Sequence, residues 1–163
     1  KAQVFLDSVQ SDGGAAYGYL DPGEGPATTA IGLLCRMYLG WDKDNPALVK
    51  GIQRLSKWGP STSKSGPSRN NFYYNYYATQ VMRHWEGEEW KQWNAVMRDY
   101  LVQTQAQKGH EAGSWFFEDS SDHGKERGGR LYFTAMATMI LEVYYRYMPL
   151  YRKQTTAEAF PLD

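Results

Sequence analysis

Between residues 118 and 124 the chain reads Glu-Asp-Ser-Ser-Asp-His-Gly, which sets Glu118, Asp119 and Asp122 beside His123. Oxygen ligands of this kind suit a divalent cation, and a carboxylate next to an imidazole suits proton transfer. The spacing matches no established ligand set, so a solvated polar loop is the other reading. His110 precedes His123 in the same polar stretch. His84 follows Arg83 late in an apolar stretch, where packing or a surface position is its expected role. Cys35 is the one cysteine. It leaves no intrachain disulfide and no cysteine-based zinc cluster, and within IGLLCRMYL it reads as a small core residue. No Gly-x-Ser-x-Gly, phosphate-binding loop or dinucleotide fingerprint occurs. No cofactor and no metal site is therefore expected.

A second set is aromatic. Phe72-Tyr73-Tyr74-Asn75-Tyr76-Tyr77 opens an apolar stretch. At helical spacing Tyr73 and Tyr77 share one face, and Tyr76 and Gln80 share another. Such faces hold a cation, an apolar group or a sugar. Tyr73, Tyr76, Tyr77 and Tyr132 are the candidate ligand-binding rim, with Phe133, Tyr17 and Tyr19 as further members. Core packing is the competing use of the same rings.

The elements that must position these residues follow from periodicity. Ala2, Phe5, Leu6 and Val9 mark an amphipathic helix over residues 2–10. The Gly- and Pro-rich residues 11–26 break it. A more apolar helix runs from Thr28 or Thr29 to about Leu39 and stops at Gly40. Pro46 opens the next helix at a first-turn position, with Leu48, Ile52 and Leu55 as its stripe. Residues 59–71 form a loop. Tyr73–Trp85 is the second apolar helix and ends at Gly87. Residues 88–107 are amphipathic, with Trp93, Met97, Tyr100 and Leu101 on one face. A polar loop covers 108–130. Leu131–Tyr147 is apolar nearly all round, which predicts burial on several sides. Pro149 ends it, and 149–163 is a polar tail.

The alternation recurs at intervals of about 45–60 residues, a size typical of stacked helical hairpins. The expected fold is all-α: three α/α hairpins and about six main helices in one domain over 1–148. The repeats are 1–41, 42–87 and 88–148, with amphipathic helices outside and apolar helices inside. Aromatics make up 15% of the 163 residues, so a core is available. Acidic and basic residues balance at 18 each, which removes the basic footprint of a nucleic-acid partner. No apolar run is long enough for a membrane span. The start, KAQVFLDSVQ, lacks a signal-peptide core and an initiator Met, and it reads as the start of a piece of a longer chain.

One motif points to a family. Tyr100-Leu101, three residues, Gln105, then Gly113-Ser114-Trp115 resembles the QW motif of the prenyltransferase and squalene-cyclase repeat family. Phe5-Leu6, three residues and Gln10 repeat its first half, followed by Gly13-Gly14, with Tyr17 and Tyr19 in place of Trp. Leu55-Ser56 keeps only the helix pattern. The resemblance covers residues 1–148 and implies part of an α/α toroid, whose closed form has about six hairpins. It implies a stabilising role for Gln10, Gln105, Gly113 and Trp115, in which the glutamine bonds helix-end backbone groups and the tryptophan ties neighbouring repeats. The acids and metal ligands of the family's enzymes find poor matches. Asp42-Lys43-Asp44-Asn45 ends in Asn where cyclases have Asp-x-Asp-Asp. Cys35 has no His or Asp at helical spacing, unlike the zinc site of the prenyltransferases. Cys35-Arg36-Met37 departs from the Cys-Gly-Glu-Gln of thioester domains.

These residues point to a non-catalytic structural or ligand- or protein-binding module of a larger protein. The alternative is part of an enzyme on isoprenoid or saccharide substrates, with its catalytic residues elsewhere. The expected partners are the rest of a parent chain or a second copy, with an apolar or sugar ligand as the small-molecule candidate.

Overall fold

The computed structural model describes residues 1–64 and 69–151. The main helices are α1 (Ala2–Val9), α2 (Pro26–Tyr38), α3 (Pro46–Trp58), α4 (Phe72–Trp85), α5 (Gly87–Thr104) and α6 (Gly124–Leu141), followed by the short α7 (Val143–Arg146). The fold is all-α apart from one small hairpin. Most of the expected tail and part of the 59–71 loop lie outside the described residues.

Local chemistry explains the helix ends. Pro26 and Pro46 occupy first-turn positions, where the missing N–H costs no hydrogen bond. Asn45 and Asn71 cap α3 and α4, their side-chain oxygens accepting from backbone N–H groups of the first turn. Thr28 and Thr29 fall inside α2 rather than opening it, because their hydroxyls are used on a neighbouring segment. α5 ends at Thr104, earlier than periodicity suggests, because Gln105 turns extended.

α4 is the centre of the packing. α2 and α6 lie against its flanks, and α3 and α5 also pack on it. Its buried positions include Phe72, Ala78, Val81, Met82 and His84, on several sides of the helix. The N-terminal ends of α2, α4 and α6 meet at one cleft, lined by Ala27, Tyr73 and Gly124 among others. The C-terminal ends of α2 and α4 meet where Tyr38 touches His84. These three helices therefore run in the same direction. One continuous core, from Leu6 through Leu33, Ile52 and Phe72 to Phe133 and Val143, joins all of them. Each such side chain contributes about 1.5–3 kcal/mol on burial.

A similar contact occurs three times, on α2, α4 and α6. In each, one or two side chains on the helix clasp the backbone of one linker residue. The Tyr17 N–H donates to Thr29 Oγ1 at 3.1 Å, and Thr28 Oγ1 donates to the Tyr17 carbonyl at 2.6 Å. The Ser61 N–H donates to Asn75 Oδ1 at 2.7 Å, and Asn75 Nδ2 donates back to the Ser61 carbonyl at 3.0 Å. The Trp115 N–H donates to Thr134 Oγ1 at 3.1 Å, and that hydroxyl lies 3.4 Å from the Trp115 carbonyl. Each clasp satisfies backbone groups that the linker would otherwise bury unpaired.

Two features differ from the sequence expectation. Residues 10–17 form an antiparallel hairpin, β1 (Gln10–Ser11) and β2 (Ala16–Tyr17), pairing Gln10 with Tyr17 and Ser11 with Ala16. Strands of two residues carry no periodic signal, so the Gly-rich sequence there reads as a loop. α6 begins at Gly124, within the expected 108–130 loop, and kinks at Gly129 (φ 50°, ψ −135°), a conformation that glycine tolerates. It is also less buried than its composition suggests. Phe133, Met136, Ala137 and Ile140 face the core, while Leu131 is 80% exposed. Nothing among the described residues packs over that outer stripe, because α6 is the last helix of its layer.

Candidate functional site

The cleft at the N-terminal ends of α2, α4 and α6 encloses about 600 Å³. Its floor is Asp122, which is 8% exposed. Asp122 Oδ2 accepts from the Tyr73 N–H at 2.8 Å and from the Tyr132 hydroxyl at 2.7 Å. Asp122 Oδ1 accepts from the Gly124 N–H at 2.9 Å. The carboxylate thus caps the first turns of α4 and α6 together, where helix N-terminal N–H groups favour negative charge. The preceding segment is fixed to the linker before α4. Ser120 Oγ donates to the Asn70 carbonyl at 2.8 Å, and the Ser121 N–H donates to the Arg69 carbonyl at 2.8 Å. Asn70 holds a positive φ of 43° and is fully buried, with Asp119 and Tyr100 on its side chain.

Tyrosines form one wall. Tyr73 and Tyr77 meet edge to face at 5.0 Å, as do Tyr76 and Tyr77. The Tyr76 and Tyr147 hydroxyls lie 3.2 Å apart. Tyr132 stands over the turn of α6. A Cβ at Gly124 would lie 2.3 Å from its ring, so only glycine lets the ring approach. Burial, with the hydrogen bond to Tyr73, pushes the Tyr77 phenol up to about 12. Burial, with the Asp122 carboxylate, pushes Tyr132 higher still. Both stay protonated donors at neutral pH. Tyr73, Tyr76, Tyr77 and Tyr132 are therefore neighbours in the fold. Of these, Tyr73 and Tyr132 line the cleft, and Tyr76 turns toward Tyr147.

The carboxylates of the 118–124 stretch serve separate contacts. Glu118 pairs with Lys125, Asp119 accepts from Asn70, and Asp122 takes its three donors. Among the described residues, no group of three His, Cys, Asp or Glu is placed to hold a metal ion. His123 lines the cleft and His110 is exposed beside Glu111. His84 is buried, with Nε2 3.2 Å from the Tyr38 hydroxyl, and burial followed by the Arg83 charge lowers its pKa. Cys35 is half-buried against the core, and burial raises its thiol pKa, which makes it a poor nucleophile.

The motif residues sit at the joints. Trp115 Nε1 donates to the Leu101 carbonyl at 2.8 Å, and Gln105 Nε2 donates to the Gly113 carbonyl at 3.0 Å. Gln10 Oε1 accepts from Arg36 at 3.2 Å. Gly113 has a φ of +84°, which allows the chain to turn back on itself.

Sequence reasoning missed Arg36. It is 2% exposed and binds Asp7, Gln10 and the Tyr17 hydroxyl. A single charge inside IGLLCRMYL was the available signal. Glu126 and Arg127 at the cleft rim were also missed, since nothing in a polar run marks which residues face a cavity. No known protein family, characterised protein or solved structure matches this chain.

Proposed function

We propose that this chain is a non-catalytic binding module of α/α hairpins, similar in plan to prenyltransferase and squalene-cyclase repeats. Its ligand sits in the cleft at the N-terminal ends of α4 and α6. The observation that carries this reading is the convergence of Tyr73, Tyr132 and Asp122 from separate elements on one open cavity. Clefts with a few fixed polar groups and aromatic walls are the usual form of a ligand site. Asp122 already accepts three hydrogen bonds, which favours an architectural use over proton transfer. That weighs against the alternative, a share in an enzyme on isoprenoid or saccharide substrates.

The flanks support a second kind of contact. Leu131 on α6, Tyr145 on α7 and Met148 beyond it are exposed, as are Val4 and Phe5 on α1 and Leu20 after it. Exposed apolar side chains become interaction surfaces where they are contiguous. A second copy of the chain or the remainder of a longer one is the partner proposed for them.

A panel of small apolar and polyhydroxylated fragments, followed by NMR shifts, tests the module reading. The expected outcome is that hits cluster on Tyr73, Tyr132 and Gly124 and are recovered unchanged. Hits confined to other surfaces would overturn the site. Chemical conversion of a hit would overturn the non-catalytic reading.

A further inference from the structure

The cleft's own chemistry selects among ligand classes. Resting on the binding-module reading, we propose that it binds a neutral oligosaccharide. Of the residues that line it, Ala27 is the one aliphatic side chain. An isoprenoid chain needs continuous apolar walls to remove its surface from water, and here the tyrosine rings are interrupted by Asn71, Asp122, His123, Glu126 and Arg127. What it offers instead is one ring face beside unpaired polar groups. Tyr73 is 43% exposed, yet its position is fixed twice, by Asp122 on its N–H and by Tyr77 against its ring edge. A rigid aromatic face of this kind receives the C–H face of a pyranose through dispersion and desolvation.

The rim supplies the hydroxyl contacts. Glu126, Arg127 and His123 line the same cleft, and none of the three has a side-chain partner among the described residues. A carboxylate accepts from two adjacent hydroxyls, and a guanidinium donates to two oxygens in a fixed fork. The two unpaired charges at the rim are of opposite sign, and Asp122 below them is negative. The field therefore gives an acidic saccharide or a phosphate no advantage, because either would meet Glu126 as well as Arg127. A neutral polyol is the ligand whose apolar face and paired hydroxyls use every one of these groups. A cleft of about 600 Å³, open to solvent among the described residues, suits one or two rings of a longer chain passing across it.

The test is a glycan array carrying neutral and acidic oligosaccharides, probed with the whole chain and followed by calorimetry on the retained glycans. Retention of neutral glycans is expected. Tyr73→Phe should keep their affinity within about twofold, and Tyr73→Ala should weaken it tenfold or more. Glu126→Gln and Arg127→Gln, both at exposed positions, should each weaken it several-fold with no change in melting temperature. These two variants keep the test decisive if Tyr73→Ala disturbs folding. Exclusive retention of acidic glycans would overturn the neutral class. Retention that survives both rim variants and Tyr73→Ala would overturn the site. An array with no retained glycan, beside fragment hits that still map to Tyr73, would overturn the saccharide and leave the module standing. An empty array together with no fragment hits at the cleft would overturn both.

Discussion

The joints before α2 and α6 do the same job with different side chains. In the first, α1 leads into the β1–β2 hairpin, and in the third, α5 leads into a turn closed by backbone hydrogen bonds between Ala106 and Ser114 and between Gly113 and Ala106; in each, an aromatic residue that follows is clasped by a threonine on the next helix. The Gly18 N–H returns to the Val9 carbonyl at 2.9 Å in the first, and the Gly113 N–H returns to Ala106 at 2.8 Å in the third. In the third, the Trp115 indole donates directly to the Leu101 carbonyl. In the first, the clasped residue is Tyr17, and its hydroxyl accepts from Arg36, which also holds Gln10 and Asp7. One joint is closed by a neutral aromatic donor and the other by a buried cation. The threonine clasp is thus the repeated feature, and the chemistry that closes the joint around it differs.

The difference has energetic consequences. Trp115 buries a large ring and satisfies a helix-end carbonyl in one side chain. Trp115→Ala should cost about 3–5 kcal/mol, the range for losing a packed aromatic. Trp115→Phe keeps most of the area and loses the donor, so about 1–2 kcal/mol is expected. Chemical denaturation measures both. If the two variants cost the same, the indole N–H rather than the ring is what closes the joint. Arg36→Met should come next, at about 2 kcal/mol, because it strips a charged donor from the buried Tyr17 hydroxyl. Asp7 is half exposed and regains water, which limits the loss. The two joints share no residue, so Arg36→Met and Trp115→Phe should add within about 0.5 kcal/mol. A clear excess in the double variant would mean that the layers couple through α4.

Thr29→Val and Thr134→Val compare the clasps themselves. Each removes the acceptor for one linker N–H, at about 1–2 kcal/mol. Thr29→Val should be the milder in one respect, since Thr28 keeps its bond to the Tyr17 carbonyl. Hydrogen exchange at the Tyr17 and Trp115 amides reads each clasp separately. Equal acceleration at both amides in either single variant would show that the joints open as one unit.

Much of this is legible in the sequence. The stripes of α1, α3 and α5 and the apolar runs of α2 and α4 follow the helical period, so those elements lie within a few residues of their expected places. Gln105 and Trp115 were marked by their spacing. The clasps were not, because Thr29 near a helix start reads as a cap, and nothing in the sequence marks Asn75 in α4 or Thr134 deep inside α6. Thr29, Asn75 and Thr134 reach instead to a residue far away in sequence. The start of α6 was hidden by the Gly128-Gly129 pair, which resembles a loop and is in fact a kink. Tyr132 was visible as an aromatic rim member, but the Asp122 carboxylate beneath it read as one more charge in a polar run. Only the pairing of α4 with α6 gives that aspartate its three donors.

The smallest effect concerns the turn inside the first joint. Asp12 lies in the hairpin between β1 and β2 and pairs with Lys50 and Arg54 of α3. The third joint instead carries Glu111, 2.9 Å from Arg130. The Lys50 hydrogen bond, opposed by burial and aided by Arg54, lowers the Asp12 pKa below its ordinary 3.8. A depressed carboxylate contributes stability above the unfolded-state pKa, and that contribution disappears as pH falls through the folded value. The wild-type chain should therefore be slightly more stable than Asp12→Asn at pH 6. The two should converge below the ordinary aspartate range. Because both chains carry the same other carboxylates, their difference in melting temperature isolates this one group. The Gly18 amide, which closes the first joint, should show the change in hydrogen exchange while the Trp115 amide does not. A gap between the chains that stays constant from pH 6 down to pH 3 would mean that the turn is held by its backbone and not by its charge.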